Sequence, residues 1–394
     1  VIFGDNDMAE ELVETIEGKT RLIVPSASLN NKVPPKSPAF FNQAARLNRD
    51  ISVLAYKAFI SDFKYAKRNF ADSFSGIGAR ALRVAVEAPE IEQIYLNDMN
   101  FAAIEMAKKA AELNSVSSKC FFTTNKVLKF LAEHGTSNND RFSIIDLDPF
   151  GSPASYIDSV LRSIISGGLI SVTATDNAVL CGVYPDVCMR KYYGRPVKTF
   201  YANEIAIRLI VSLIALTASR LDLAIQPLFA HTTMHYLRVY VKILYSNIQA
   251  NKVYKNIGYL LHCFKCGNRY AIAQYDGSKV CSLCGAKYTI GGPLWVSKLF
   301  DKNLVEKMAY YDHCSERSLN SIKKMLYASK GELDDIPYYF RSDEIASRLK
   351  RNPQPLRKII ETLIEAGFRA SLTSLNSAAF KTNATPDEIL RLLK

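Results

Sequence analysis

The sequence predicts an α/β protein with a doubly wound, mostly parallel sheet, followed by an α+β C-terminal part. Three observations carry this. From Asn69 to Asp176, apolar strand segments alternate with helical ones, the pattern of parallel strands packed between helices. A glycine turn, "SGIG" from Ser75 to Gly78, joins the first strand of that series to a helix. Near Tyr254 the alternation gives way to two cysteine pairs, loops and then helices. A chain of 394 residues is long enough for two cores, expected over residues 1–250 and 251–394.

The opening segment reads as strand and turn, then a proline-rich loop, "NNKVPPKSPAFFNQ". In "RLNRDISVLAYKAFISDF", Leu47, Ile51, Leu54 and Ala58 recur near helical spacing. "NFADSF" is a short strand and "ARALRVAVEA" its helix; "IEQIYLND" and "MNFAAIEMAKKAAELNS" repeat the unit, as do "KCFFTTN" and "KVLKFLAEHG". "RFSIIDLD" is the fourth strand. "PASYIDSVLRSIISGG" reads as a helix closed by Gly167 and Gly168, with "LISVTATD" as the next strand. "KTFYANEIAIRLIVSLIALTASR" is a strongly apolar helix, and "LDLAIQPLFAHTT" with "YLRVYVKILYS" would complete the sheet as paired edge strands. In the tail, "SDEIASRLK" starts at a capping serine, Ser342, and "NPQPLRKIIETLIEAG" is an amphipathic helix stopped by Gly367. "FRASLTSL" and "SAAFKT" form a two-stranded wing, and Thr385, Pro386 and Glu388 begin a last helix with a capping box. Residues 335–394 thus resemble a small winged-helix-like unit.

Charge narrows the partners. The net charge is +12, and the segment Arg190–Lys298, with 15 Lys/Arg against 3 Asp/Glu, accounts for the whole excess. A localised basic surface is the footprint of a polyanion; a solvated basic face is the plainer alternative. No run of 18 apolar residues stands out and the opening segment lacks the order of a signal peptide, so no membrane role is expected. Eight cysteines without the density of a secreted scaffold suit a reducing compartment, cytoplasmic or, in a eukaryote, nuclear.

Three clusters could carry chemistry. Gly76 and Gly78 let the backbone turn tightly against a ligand, and Asp98 ends a strand twenty residues past Gly78, where an acid can bond ribose hydroxyls. Capping of the next helix is the structural alternative for Asp98. Together these features point to a nucleoside-bearing cofactor, NAD or S-adenosylmethionine. Second, "SIIDLDPFGSP" ends an apolar strand with two acids of one face, Asp146 and Asp148, then a proline, a ring and a glycine. A carboxylate beside a rigid turn and the Phe150 ring can hold a flat base by its exocyclic amine and take the proton when a methyl group arrives. Asp148 as a helix cap is the alternative. Third, Cys263, Cys266, Cys281 and Cys284 have C-x2-C, fourteen residues, C-x2-C spacing, that of a four-thiolate structural zinc ribbon over about residues 258–292. Lys265, Arg269, Tyr270, Lys279 and Lys287 around it favour a surface facing RNA. His231 and His235 sit four apart in a strand or turn, where packing is the default role.

"DLDPFGSP", "TATD" before "LCG", "FFN…LNRD" and "SGIGARALR…LND" together resemble the tRNA guanine-26 N2-dimethyltransferase family, over essentially the whole chain. The resemblance implies a Rossmann-like class I methyltransferase domain, a C-terminal tRNA-binding domain, S-adenosylmethionine as methyl donor and tRNA as substrate, with no obligate protein partner. It implies that Arg49 and Arg80 hold the methionine end, with Ser75, Gly76, Gly78, Met99 and Asp146 in or behind the cofactor pocket. Asp98 would bind the ribose, and Asn125 or Thr124 would read the adenine amine where relatives often carry an acid. Asp148, Pro149 and Phe150 would receive the guanine, with Phe40 as opposing ring. Gln43 stands where a proline is common, and the four-cysteine ribbon occurs in part of the family. An amine methyltransferase for another base, a non-enzymatic RNA-binding protein and, last, a dehydrogenase are the competing expectations.

Overall fold

The structure, a computed structural model, describes residues 11–394 apart from 65–66, 138, 276, 278–279 and 312–315, with backbone alone at 316–319. Lys279, expected near the cysteines, and Cys314 lie outside the described residues.

A hairpin, β1 (Leu12–Glu17) and β2 (Thr20–Pro25), opens the chain and packs on the helix Phe101–Leu113. The central sheet comprises β3 (Asn69–Asp72), β4 (Gln93–Asn97), β5 (Cys120–Thr123), β6 (Phe142–Leu147), β7 (Ile164–Ala174), β8 (Leu223–Thr233) and β9 (Tyr236–Tyr245). Its order is β5-β4-β3-β6-β7-β9-β8. The first five strands are parallel, and β9 and β8 are antiparallel, as the sequence led us to expect. Winding reverses between β3 and β6, so a crevice opens beyond their carboxyl ends, where sheets of this kind bind ligands. There the strand register sets Asp72 beside Asp146.

One expectation fails locally. The helix after "DPFG" spans only Ile157–Ser163, and β7 begins at Ile164. Phe142 pairs with Ile164 and Ile144 with Leu169, so the intervening residues bulge from the strand, with Gly167 at φ +83°. The β-branched Ile164 and Ile165 favour strand, and the glycines supply the bulge rather than a helix stop. Ser342 is likewise the first residue of its helix, and Arg341 occupies the cap without a side-chain bond. The capping box of Thr385 and Glu388 is present.

The helix Ala202–Ser219 is long and apolar enough to cross a membrane, but 78% of it is buried inside the protein. It also carries a fully buried pair, Glu204 with Arg208 at 2.8 Å. Beyond the sheet, β10 (Ile257–His262), β11 (Arg269–Ile272) and β12 (Thr289–Trp295) form a three-stranded antiparallel sheet bearing the cysteines. The tail contributes β13 (Phe340–Arg341), β14 (Ala370–Leu372) and β15 (Ala379–Thr382), with helices Ser342–Leu349, Leu356–Glu365 and Pro386–Leu392 around a small core. Lys381 of β15, fully buried, pairs with Glu204 at 2.6 Å and Glu332 at 3.0 Å, fastening the tail to the central helix.

The basic segment divides on folding. Arg208, Arg238 and Arg269 are buried and committed to ion pairs. Arg190, Arg195, Lys198, Lys252, Lys255, Lys265 and Lys287 are exposed.

Candidate active site

A cavity of about 480 Å³ occupies the crevice at the ends of β3 and β6. Phe40, Arg49, Ser75, Gly76, Arg80, Asp98, Asp148, Pro149 and Phe150, all singled out from sequence, line it.

The glycine turn forms one end. Ser75 N–H donates to Asn97 O at 2.9 Å, and Gly76 adopts φ +51°. Asp98 accepts from Gly76 N at 2.8 Å through one oxygen and from Asn100 N at 2.9 Å through the other. It is not the helix cap; Asn100 holds that place, accepting from Ala103 N. Gly78 sits behind the cavity at φ +76°, where a Cβ would come within 2.9 Å of Leu96 and 3.1 Å of Ala107. Its glycine is therefore needed for close packing of helix on strand. Ser75 borders the cavity, and its buried Oγ has no hydrogen-bond partner among the described residues, which suits a bound polar ligand.

The other end is acidic and aromatic. Arg80 bonds Asp148 Oδ2 at 2.7 Å, Asp146 Oδ1 at 3.2 Å and Asn48 Oδ1 at 3.2 Å. Arg238, fully buried, pairs with Asp146, donates to Tyr56 Oη at 2.8 Å and lies 3.8 Å from Asp148 Oδ2. Burial alone would raise the Asp148 carboxyl, but Arg80 and Arg238 outweigh it and hold the group below the usual carboxylate range. Asp148 therefore stays ionised, an acceptor at the cavity wall. Asp72, fully buried, is pushed up to about 8 by burial and by Asp146, against the pull of Arg80. Phe150 is 76% exposed and meets Phe40 edge-on at 5.1 Å between centroids. Gly151 exchanges two bonds with Thr175, N–H to Oγ1 at 2.8 Å and O from the Thr175 N–H at 2.9 Å, which fixes the "DPFG" loop to the end of β7.

Not every predicted residue reaches the cavity. Asp146 is fully buried beneath it and bonded to Tyr56, Arg80 and Arg238 rather than facing the cavity. Met99 is 64% exposed outside the lining, and Asn125 Nδ2 turns away to Glu133 at 3.2 Å. Arg49 reaches the lining but also pairs with Glu17 at 2.5 Å. Sequence reasoning missed Asp72, Asn42, Asn100, Met234, His235 and Tyr236, which also line the cavity. Asp72 had a signal, an acid ending an apolar strand before the glycine turn; the last three come from a distant hairpin. His231 is buried against Tyr240, with ring centroids 6.0 Å apart.

The four cysteine thiols lie within 4.8 Å of one another, Cys263 to Cys284 at 3.4 Å and Cys266 to Cys281 at 3.5 Å. Four thiolates about 2.3 Å from a tetrahedral zinc ion stand about 3.8 Å apart, so the group could hold zinc. Gly267 and Gly285 follow each pair at φ +78° and +70° and turn their N–H groups back to Cys263 O and Cys281 O. None of the four cysteines borders the cavity.

Comparison with known proteins agrees with this geometry. Residues 18–394 match the family described as N2,N2-dimethylguanosine tRNA methyltransferase. A tRNA (guanine(26)-N(2))-dimethyltransferase of Methanothermobacter thermautotrophicus is 35% identical over 97% of this chain and 98% of its own. A tRNA (guanine(26)-N(2)/guanine(27)-N(2))-dimethyltransferase of Aquifex aeolicus is 30% identical over 96% and 95%. The structure of Trm1 from Pyrococcus horikoshii with S-adenosyl-L-methionine superposes with a TM-score of 0.82 at 29% identity, over 97% of this chain and 99% of that one. A match across this length, with the acid–aromatic wall and the glycine turn facing one cavity, shows that the chain belongs to the N2,N2-dimethylguanosine tRNA methyltransferase family.

Proposed function

We propose that this protein transfers methyl groups from S-adenosylmethionine to the exocyclic N2 of guanine 26 in tRNA, giving N2-methyl- and N2,N2-dimethylguanosine. The observation that carries the reading is Asp148, ionised between Arg80 and Arg238 beside the exposed Phe150 ring, in the same cavity as the glycine turn and Asp98.

Bound S-adenosylmethionine supplies an electrophilic methyl group. The Gly76 turn and Asp98 would hold its nucleoside part, Asp98 toward the ribose, with Arg49, Ser75 and Arg80 toward the methionine end. Phe150 would stack on the guanine, with Phe40 as opposing ring once the edge-on contact between the two parts, and Pro149 would keep the loop rigid. Asp148 accepts hydrogen bonds from the N2 amine, which keeps its lone pair directed and its position fixed. A carboxylate stabilised by two arginines is a weak base. It suffices here, because the amine becomes strongly acidic only as the methyl bond forms. Asp146 and Arg238 orient Asp148 from below.

The chain divides, in this reading, into a methyltransferase domain over 1–250 and a tRNA-binding domain over 251–394. The latter carries a zinc ribbon at about 258–292 and a winged-helix-like tail at about 335–394. The exposed Lys252, Lys255, Lys265 and Lys287 suit contacts with tRNA phosphates.

The test is Asp148→Asn, which keeps size and removes charge. Labelled methyl transfer to unmodified tRNA, mapped to the base, should fall about 10²–10⁴-fold, while calorimetric binding of S-adenosylmethionine persists. Parent-like transfer by the variant would refute the assignment.

A further inference from the structure

The hairpin between β8 and β9 projects a side chain that neither the core nor the cofactor end explains. Thr233 pairs with Tyr236, leaving Met234 and His235 as a two-residue turn. Met234 adopts φ +53°, a left-handed conformation that such turns normally give to glycine or asparagine. Its side chain is 64% exposed yet borders the cavity. A long apolar side chain, largely exposed on a disfavoured backbone, gains little from burial, and residues kept in such conformations cluster at functional sites.

Contacts locate the turn at the Asp148 end. Asn177 Nδ2 donates to His235 O at 3.0 Å, two residues beyond the Thr175 that holds Gly151. Tyr236 Oη lies 3.5 Å from Asn42 Nδ2, and burial, together with the Asp148 charge, pushes its phenol up. The mouth therefore carries exposed apolar groups from two separate elements, Phe150 on the "DPFG" loop and Met234 on the hairpin.

Resting on the tRNA reading above, we propose that Met234 is a wedge that enters the tRNA base stack where guanine 26 leaves it. A stacked guanine cannot bring N2 to a carboxylate inside a cavity; it has to swing out. Extrusion opens a gap between its neighbours, and apolar side chains, methionine among them, fill such gaps and hold the strand open. The unbranched, polarisable thioether adapts to whichever bases flank the gap. Phe150 and Phe40 receive the extruded base, and Met234 is a positioning residue that occupies the place it vacates.

The test uses Met234→Gly and Met234→Leu in the full chain. Glycine relieves the turn's backbone and removes the wedge, so its melting temperature should equal or exceed the parent's. The readout is tRNA carrying 2-aminopurine at position 26, bound with S-adenosylhomocysteine. The parent should raise the fluorescence as the base unstacks. Met234→Gly should lose most of that rise and about tenfold or more in kcat/KM for tRNA, with unchanged cofactor affinity, while Met234→Leu should keep both. A glycine variant with the parent's fluorescence rise and kcat/KM overturns the wedge. Failure of the parent to methylate position 26 of unmodified tRNA overturns the functional reading instead.

Discussion

Replacing Arg80 with methionine tests whether the acids at the cavity depend on shared guanidinium groups. Arg80 contacts Asp148 at 2.7 Å and Asp146 at 3.2 Å, and Arg238 supplies the second positive charge. Because the Asp72 carboxyl is pushed up to about 8, it stays mostly protonated near neutrality. Two carboxylates then face two arginines, and the cluster balances. Methionine keeps most of the Arg80 volume but leaves one buried negative charge in excess. Removing one partner of a buried pair costs about 3–5 kcal/mol. The variant can relieve part of that by binding a proton, so a carboxyl in its folded state titrates above its unfolded value. A group raised in this way contributes stability at low pH that is lost as pH rises. The gap in unfolding free energy between parent and variant should therefore widen with pH, by up to about 1.4 kcal/mol per unit for one proton. Urea denaturation between about pH 6 and pH 8 measures it. A constant gap below about 1 kcal/mol would refute the claim that the arginines neutralise the cluster.

Three further outcomes follow from the same physics. With Asp72 raised from 3.8 to about 8 in the fold, its contribution declines with pH across that window; Asp72→Asn should flatten the pH dependence of stability there, and an unchanged slope would count against the burial argument. Lys381→Met leaves Glu332 buried without its cation and Glu204 with Arg208 alone and should cost about 3–5 kcal/mol, read as a lower thermal midpoint; an unchanged midpoint contradicts the fastening role. The single tryptophan, Trp295, lies on β12 beside β10, the strand that leads into Cys263, so loading the cysteine group with zinc and then chelating it should change the tryptophan emission and leave calorimetric binding of S-adenosylmethionine intact. Loss of cofactor binding on chelation would show that the cysteine cluster supports the cavity itself.

Much of the sheet was legible because each parallel strand is a short apolar run ending in a polar residue, followed by a helix of clear period. The cavity's acids were legible for the same reason: Asp98 and Asp148 end apolar strands, where a charge has no packing purpose. The helix before β7 was misjudged because a bulge and a helix stop both use glycine, and only the neighbouring strand decides between them. Asn125 turned away from the cavity because Glu133, one helical stretch later, captures its amide. Arg238 and Met234 could not be found from local pattern. They lie some 90 residues after the "DPFG" loop in sequence, and the antiparallel return of β8 and β9 alone carries them to it. Three arginines of the basic segment looked like surface charge and proved to be interior, since composition does not distinguish a solvated cation from one paired inside.

The fastening of β15 to the central helix means that the two ends of this polypeptide cannot be prepared separately. A cut near residue 250 would take Lys381 from Glu204, and from Arg208 the carbonyls of Trp295, Ser297 and Asp334 that absorb its N–H groups. The N-terminal fragment would then expose the first turns of its most apolar helix, Ala202–Ser219, whose surface β12 and the tail now cover. It should emerge insoluble rather than merely inactive, and fragments meant for binding studies have to keep the tail.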